Sequence, residues 1–137
     1  FASRRIGRFS NSLEVNVAEK TFDMIRAKAA SGESFLLIGR CGEQVLKDNP
    51  NLISIFICGD PQFKLTRVMD KLGLDAEDAI EEIKSVDRSR KNYHNYYCDT
   101  KWGDARGYDM TVKSDVLGCE ETAKLLVDYI RSFMAQD

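Results

Sequence analysis

A single histidine, His94, among 137 residues removes the commonest metal ligand. The four cysteines, at positions 41, 58, 98 and 119, supply neither a C-x-x-C pair nor any metal-ligand spacing. Metal chemistry built from this chain's own residues is therefore not expected. The cysteines read as reduced thiols of a cytoplasmic protein, with Cys41 and Cys58 as small apolar fillers at strand ends. No apolar run approaches the length of a membrane span, and Phe1-Ala2-Ser3-Arg4-Arg5 does not read as the apolar core of a signal peptide, so no membrane partner is expected. The net charge of −2 excludes a generally basic chain that coats nucleic acid, while leaving room for local basic sites. Neither G-x-x-x-x-G-K-[ST] nor G-x-G-x-x-G occurs, so a glycine-rich phosphate cradle is absent from these residues. Internal repeats and low-complexity tracts are lacking too.

What is present begins with Phe35-Leu36-Leu37-Ile38, four large apolar residues without alternation. That pattern predicts a strand covered on both faces, as in a parallel sheet between helical layers. Gly39 and Arg40 then fall at its carboxyl end, where open α/β sheets bind ligands. Glycine admits close approach to the backbone, and arginine offers a planar fork of donors suited to phosphate. Leu52 to Cys58 predicts a second such strand; Tyr108 to Val112 alternates and predicts a third, half covered and nearer a sheet edge.

Helices separate these strands. Phe1–Phe9 reads as a basic loop, and Ser10, Asn11 and Ser12 offer N-caps for a helix to about Ala30, with Leu13, Val17, Met24 and Ile25 inward and Gly32 beyond its end. Gly42–Lys47 makes a short helix with Val45 and Leu46 inward. Asp60-Pro61 opens another as N-cap and first helical residue, with Leu65, Val68, Met69 and Leu72 as its inner stripe and Gly73 as its stop. Lys64, Arg67 and Lys71 share its other face. Asp75 caps a longer helix to Tyr97, and a last helix starts near Glu120 with Ala123, Leu126, Val127 and Ile130 inward. The order helix, strand, helix, strand, helix, helix, strand, helix predicts one α/β domain with a parallel sheet over residues 1–137.

The Asp75–Tyr97 helix carries the most telling pattern. Ala79, Ile83, Val86, Arg90, Tyr93 and Tyr97 recur at steps of four, three, four, three and four, which puts Arg90 on the inward stripe. An arginine there needs an anion, because an unpaired buried charge is very costly. A salt bridge to Asp87 or Asp109 is the plain structural answer, and a ligand phosphate the functional one. Lys84, Arg88 and Lys91 lie on another face. Asp87 suits orienting an arginine or touching a ribose, and His94 reads as exposed and inert. Tyr93, Tyr96, Tyr97 and Trp102 are core by spacing, although tyrosines interleaved with arginines over Arg88–Tyr97 also suit single-stranded nucleic acid, a reading the acidic balance weighs against.

Several segments together resemble the cytidylate kinase-like family of P-loop kinases. They are Ile38-Gly39-Arg40-Cys41, Ile55-Phe56-Ile57 with Arg67-Val68-Met69, Asp87-Arg88-Ser89-Arg90-Lys91-Asn92-Tyr93, and Lys101-Trp102-Gly103-Asp104 with Tyr108-Asp109. The resemblance runs from about Gly32 to the end. It implies a three-layer α/β/α fold with a helical lid over residues 75–102, and transfer of phosphate from ATP, with Mg2+, to CMP, dCMP or a related acceptor. It further implies that Gly39 and Arg40 face the monophosphate, that Arg67 approaches the ATP side, and that Arg88 and Arg90 are catalytic lid arginines with Asp87 beside them at the substrate. Small-molecule nucleotides, not nucleic acid, are then the partners. The sequence departs from the family's pattern in having Cys41 where Asp follows Gly-Arg, and Val86-Asp87-Arg88-Ser89-Arg90 where the lid carries Arg-Asp-x-Arg-Asp. The P-loop strand and helix, about 30 residues or more, are expected ahead of Phe1, as the resemblance implies a longer protein. A catalytically inactive nucleotide-binding module is the alternative.

Overall fold

A computed structural model describes residues 12–136. The loop read at Phe1–Phe9 and the cap candidates Ser10 and Asn11 lie outside the described residues. The chain divides into two units, Phe1–Pro50 and Asn51–Asp137.

In the first unit α1 spans Ser12–Ala30 and α2 spans Gly42–Val45, and the two helices touch. The ends of α1 fall where the sequence puts them, but its covered face is not the one expected. Ala18, Phe22 and Ile25 are buried, with Val15 and Ala29 half-buried at the same three-and-four spacing, whereas Leu13, Val17 and Met24 are exposed. Two apolar rows run along this helix. The row holding Phe22 between two alanines gives a bulky side chain and close approach on one face, and that row is covered.

The predicted strand at Phe35–Ile38 does not form. Leu36 and Ile38 are 87% and 84% exposed, Phe35 is also exposed, and the run has no ladder partner among the described residues. Lack of alternation marks a strand that needs neighbours on both sides, and a strand exists only where its N–H and C=O groups are paired. Leu37 alone turns inward, against Gly42, where an added Cβ would come within 2.6 Å of Leu37 Cδ2. Any larger residue at 42 would force the Leu37 side chain to shift.

The second unit holds β1 (Ile55–Cys58), α3 (Pro61–Leu72), α4 (Ala76–Tyr97), β2 (Met110–Lys113) and α5 (Ser114–Met134). The strands β1 and β2 pair in parallel, Ile55 with Met110 through Cys58 with Lys113. The sheet is parallel as expected, but among the described residues it has two strands, not three. Both its ends are fastened by carboxylates. At the start, Ser54 N–H (2.7 Å) and Oγ–H (2.9 Å) donate to Asp109 Oδ2, and Asp109 N–H donates to Ser54 O (2.9 Å). At the finish, Asp60 N–H donates to Asp115 Oδ1 (2.8 Å), and Ser114 Oγ–H donates to Cys58 O (3.2 Å).

Helix α3 follows its signals closely: Asp60 caps it, accepting from Gln62 N–H, Pro61 opens it, and Gly73 ends it in the left-handed conformation. Asp75 caps α4 in the same way, accepting from Asp78 N–H. Helix α5 begins earlier than expected and is interrupted at Gly118 (φ 80°, ψ 164°). Its covered face is Thr122, Leu126, Tyr129, Ile130 and Phe133, while Ala123 and Val127 are exposed. The stripe is rotated by a residue because Tyr129 and Phe133 bring more apolar surface to it than Ala123 and Val127 do. Among the described residues no helix is long and apolar enough to cross a membrane.

Candidate functional site

Gly39, Arg40 and Cys41 of the first unit form a turn with φ of 72°, 59° and 57°, three consecutive left-handed residues. For Arg40 and Cys41 that conformation is unfavourable by roughly 1–2 kcal/mol each, since Cβ crowds the following carbonyl. The turn sends the two side chains to opposite fates: Arg40 is exposed and Cys41 is buried. Cys41 also closes onto α2, its carbonyl accepting from Gln44 N–H (3.0 Å) and Val45 N–H (2.9 Å). Strain of this kind, at a position the sequence marks for a ligand, is the feature of this unit that points to function.

The second unit carries Arg67, Asp87, Arg88 and Arg90. Helical spacing aligns Arg90 with Val86 and Asp87 before it and Tyr93, His94 and Tyr97 after it, all half-buried or buried, yet Arg90 itself is exposed. It pairs with no carboxylate among the described residues. The expected salt bridge to Asp87 or Asp109 is absent because both are engaged elsewhere: Asp87 accepts from Lys64 Nζ at 2.9 Å, and Asp109 holds Ser54. Arg90 thus keeps its charge open on a helix face that is otherwise covered. Arg88 is exposed and likewise free of carboxylate partners among the described residues.

Arg67 lies exposed on α3, its Nη1 donating to Cys119 Sγ at 3.1 Å and its guanidinium carbon 5.7 Å from the centre of the Phe63 ring. Both neighbours orient it and neither neutralises it. Lys64 was expected with Arg67 on a solvated face; instead it turns into the seam between α3 and α4. The sequence held a signal for this, since Asp87 falls four residues after Ile83 on the covered side of α4 and a carboxylate there needs a cation.

The Trp-Gly-Asp and Tyr-Asp segments are fastenings. Trp102 N–H donates to Asn95 Oδ1 (2.8 Å), and its ring meets Phe56 edge-on at 5.5 Å. Tyr108 lies 5.0 Å from Phe56. Asp104 caps the 3-10 turn Ala105–Gly107, and the Arg106 side chain and backbone N–H bonded to it lower its pKa from 3.8 to about 2. His94, expected to be exposed, is buried, with Nε2 3.3 Å from Tyr108 Oη. It lies on the side of α4 that also carries Asp87 and Cys98. The Tyr97 ring meets Tyr93 at a tilt (4.9 Å between centres) and Tyr96 edge-on (4.7 Å). Among the described residues no cysteine is in a disulfide.

A model of the cytidylate kinase-like family matches residues 1–116. The chain belongs to that family. The match begins well before Gly32, so α1 is family structure too, and it stops at the first turn of α5. A crystal structure of an uncharacterized protein from Eubacterium ventriosum is similar at 43% identity and a TM-score of 0.79 over 85% of this chain; the chain spans 65% of that protein's length. No curated protein matches. Membership of the cytidylate kinase-like family supports a kinase-type, nucleotide-binding assignment at family level.

Proposed function

We propose that this chain is part of a cytoplasmic nucleoside-monophosphate kinase that transfers phosphate from ATP to CMP, dCMP or a related acceptor. The observation that carries the reading is Arg90, exposed on the covered face of α4 two residues from Arg88, neither of them paired with a carboxylate among the described residues. In this reading the fold is a three-layer α/β/α P-loop kinase, residues 75–102 are its lid, and the glycine-rich cradle for ATP and the principal Mg2+ ligands lie outside these residues. Small nucleotides are the partners, not nucleic acid or membrane.

The guanidinium set fits phosphate tails, since each presents planar donors and none of Arg67, Arg88 and Arg90 is neutralised by a carboxylate among the described residues. ATP supplies the phosphoryl group when bound. Arg88 and Arg90 bind and neutralise the charge that spreads over the transferred oxygens, which is most of what phosphoryl transfer asks of a protein. Arg40, presented by its left-handed turn beside Gly39, holds the acceptor's phosphate. Arg67 binds on the donor side. Asp87 orients a cation, and its bond to Lys64 Nζ favours Lys64 over an arginine in that role.

The test is phosphotransfer by the full-length gene product, with ATP and a panel of nucleoside monophosphates. Transfer to a pyrimidine monophosphate is expected, with Arg90→Met lowering kcat by roughly a hundredfold or more and Lys91→Met leaving it nearly unchanged. No transfer to any acceptor overturns the kinase reading. Cys41, buried where the family pattern has Asp, favours a second reading, a nucleotide-binding module without catalysis. It predicts saturable nucleotide binding with no turnover.

A further inference from the structure

The Lys64–Asp87 pair differs in kind from the ion pairs along single helices of its unit. Lys84–Glu81, Lys124–Glu121 and Arg131–Asp128 are i,i+3 contacts along exposed helix faces. Such pairs contribute little. Lys64 and Asp87 instead join two helices, α3 and α4, with side chains 35% and 29% exposed. Arg67 and Lys71 follow Lys64 at i+3 and i+7, so three cations run along one edge of α3 over about 10 Å. Among the described residues neither Arg67 nor Lys71 pairs with a carboxylate. Among the described residues Asp87 is the carboxylate bonded to this strip, and it neutralises the first cation alone.

We infer that Lys64, Arg67 and Lys71 form a binding strip for a linear phosphate chain, and that Asp87 gates the strip by holding Lys64 until phosphate oxygens replace its carboxylate. A single phosphate does not span two helical turns; a triphosphate tail or inorganic polyphosphate can engage several of the cations together. Lys64 suits the exchange because an ammonium on a flexible stem changes partners by rotation, whereas Arg67 is already oriented by Phe63 and Cys119. The exchange has a consequence for α4. Once Asp87 is released, one of the ties between α3 and the segment bearing Arg88 and Arg90 is lost. This deepens the phosphate-transfer proposal and rests on its premise that α3 and α4 face the donor.

The gate makes a prediction that a merely structural bridge does not. Asp87 holds back part of the Lys64 population, so the observed affinity is reduced by the fraction of molecules that are competent to bind. Removing the carboxylate should therefore tighten binding, while removing the ammonium weakens it. Tripolyphosphate and ATP are titrated separately into the chain, followed by backbone amide shifts over 62–71, for wild type, Lys64→Met, Lys64→Arg and Asp87→Asn. Expected are about threefold tighter binding for Asp87→Asn, a loss of roughly tenfold for Lys64→Met, and retention by Lys64→Arg, which also shows that a change at 64 does not unfold the protein. Equal affinity for the two probes assigns the strip to the phosphate chain alone; tighter binding of ATP assigns it to the donor nucleotide. The inference is overturned if Asp87→Asn weakens binding as Lys64→Met does, if Lys64→Met binds like wild type, if CMP binds as well as tripolyphosphate, or if wild type binds neither probe. Those outcomes are separate from phosphotransfer by the full-length protein, which is what decides the kinase reading.

Discussion

Phe35–Ile38 and Ile55–Cys58 are four-residue runs of nearly the same composition, and they end in opposite states. Ile55–Cys58 becomes β1, paired residue for residue with β2, and its Phe56 ring is enclosed by Trp102 and Tyr108. Phe35–Ile38 pairs with nothing among the described residues and leaves Leu36 and Ile38 almost wholly in solvent. Apolarity is common to both; the fastenings are not. The run that forms a strand has Ser54 bonded to Asp109 ahead of it and Asp60 bonded to Asp115 behind it, so side chains fix the first and last steps of the ladder. The other has a strained left-handed turn behind it and one inward side chain, Leu37. A strand is thus specified by what is placed to receive its backbone groups, and hydrophobic content only decides which face is covered afterwards.

The largest effect that separates the two runs should come from Phe56→Ala. Removing a ring that touches two other aromatic rings is expected to destabilise the second unit by about 3 kcal/mol, read as a shift in the urea midpoint without a change in slope. Asp109→Ala comes next. It leaves Ser54 N–H and Oγ–H without their acceptor, at a cost of about 1–3 kcal/mol, and backbone amides 55–58 should lose hydrogen-exchange protection ahead of those in α4. If Asp109→Ala leaves β1 protected, the fastenings do not explain the contrast.

Most of the scaffold was legible because its signals are local. The Asp60-Pro61 start of α3, its Gly73 stop and the Asp75 cap of α4 each need only neighbouring residues, and each is where the pattern puts it. The readings that fail, Lys64 and His94 as exposed among them, concern what lies opposite a residue. For α1 and α5 the helix was right and the covered face was not, since two apolar rows compete and the row with the aromatic residues prevails. The Phe35 run lacked a ladder partner among the described residues. At Arg90 the spacing was right, but the anion it was thought to meet is Lys64's partner. The pairings around the candidate arginines were illegible, because pairing joins residues such as 64 and 87 that share no sequence pattern.

The turn behind the Phe35 run gives the third comparison. Gly42→Ala would push a Cβ to 2.6 Å from Leu37 Cδ2, and overpacking of this kind is expected to cost about 1–3 kcal/mol. The loss should appear in the first unit, as weakened protection of α2, with the second unit unchanged. A Gly42→Ala protein that melts like wild type would mean that Leu37 is not held inward, and the first run would then lack even its one inward side chain.

A smaller effect comes from the loop that leads to β2. Asp104, bonded to Arg106, has its carboxyl lowered from 3.8 to about 2. A depressed carboxylate contributes stability that is fully present above its unfolded value, near 3.8, and is lost as pH falls through the folded value, near 2. The side-chain carboxyl carbon of Asp104, followed by NMR, should titrate with a midpoint near 2, and in Arg106→Gln that midpoint should move back toward 3.8. A wild-type midpoint near 3.8 would remove Asp104 from the list of fastenings on the β2 side.

The smallest effect is the most discriminating. Leu36→Ser and Ile38→Ser alter the side chains the sequence marks as a buried strand, and in a covered strand each change would be severe. Here both side chains are in solvent, so each substitution should shift stability by no more than about 0.5 kcal/mol. Self-association should fall at the same time, because contiguous exposed apolar residues promote it. Sedimentation velocity and urea melts on the same samples test both halves of this expectation. A loss above about 1 kcal/mol with no change in association would show the run to be covered, and the difference between the two apolar runs would then be one of partner rather than of presence or absence of pairing.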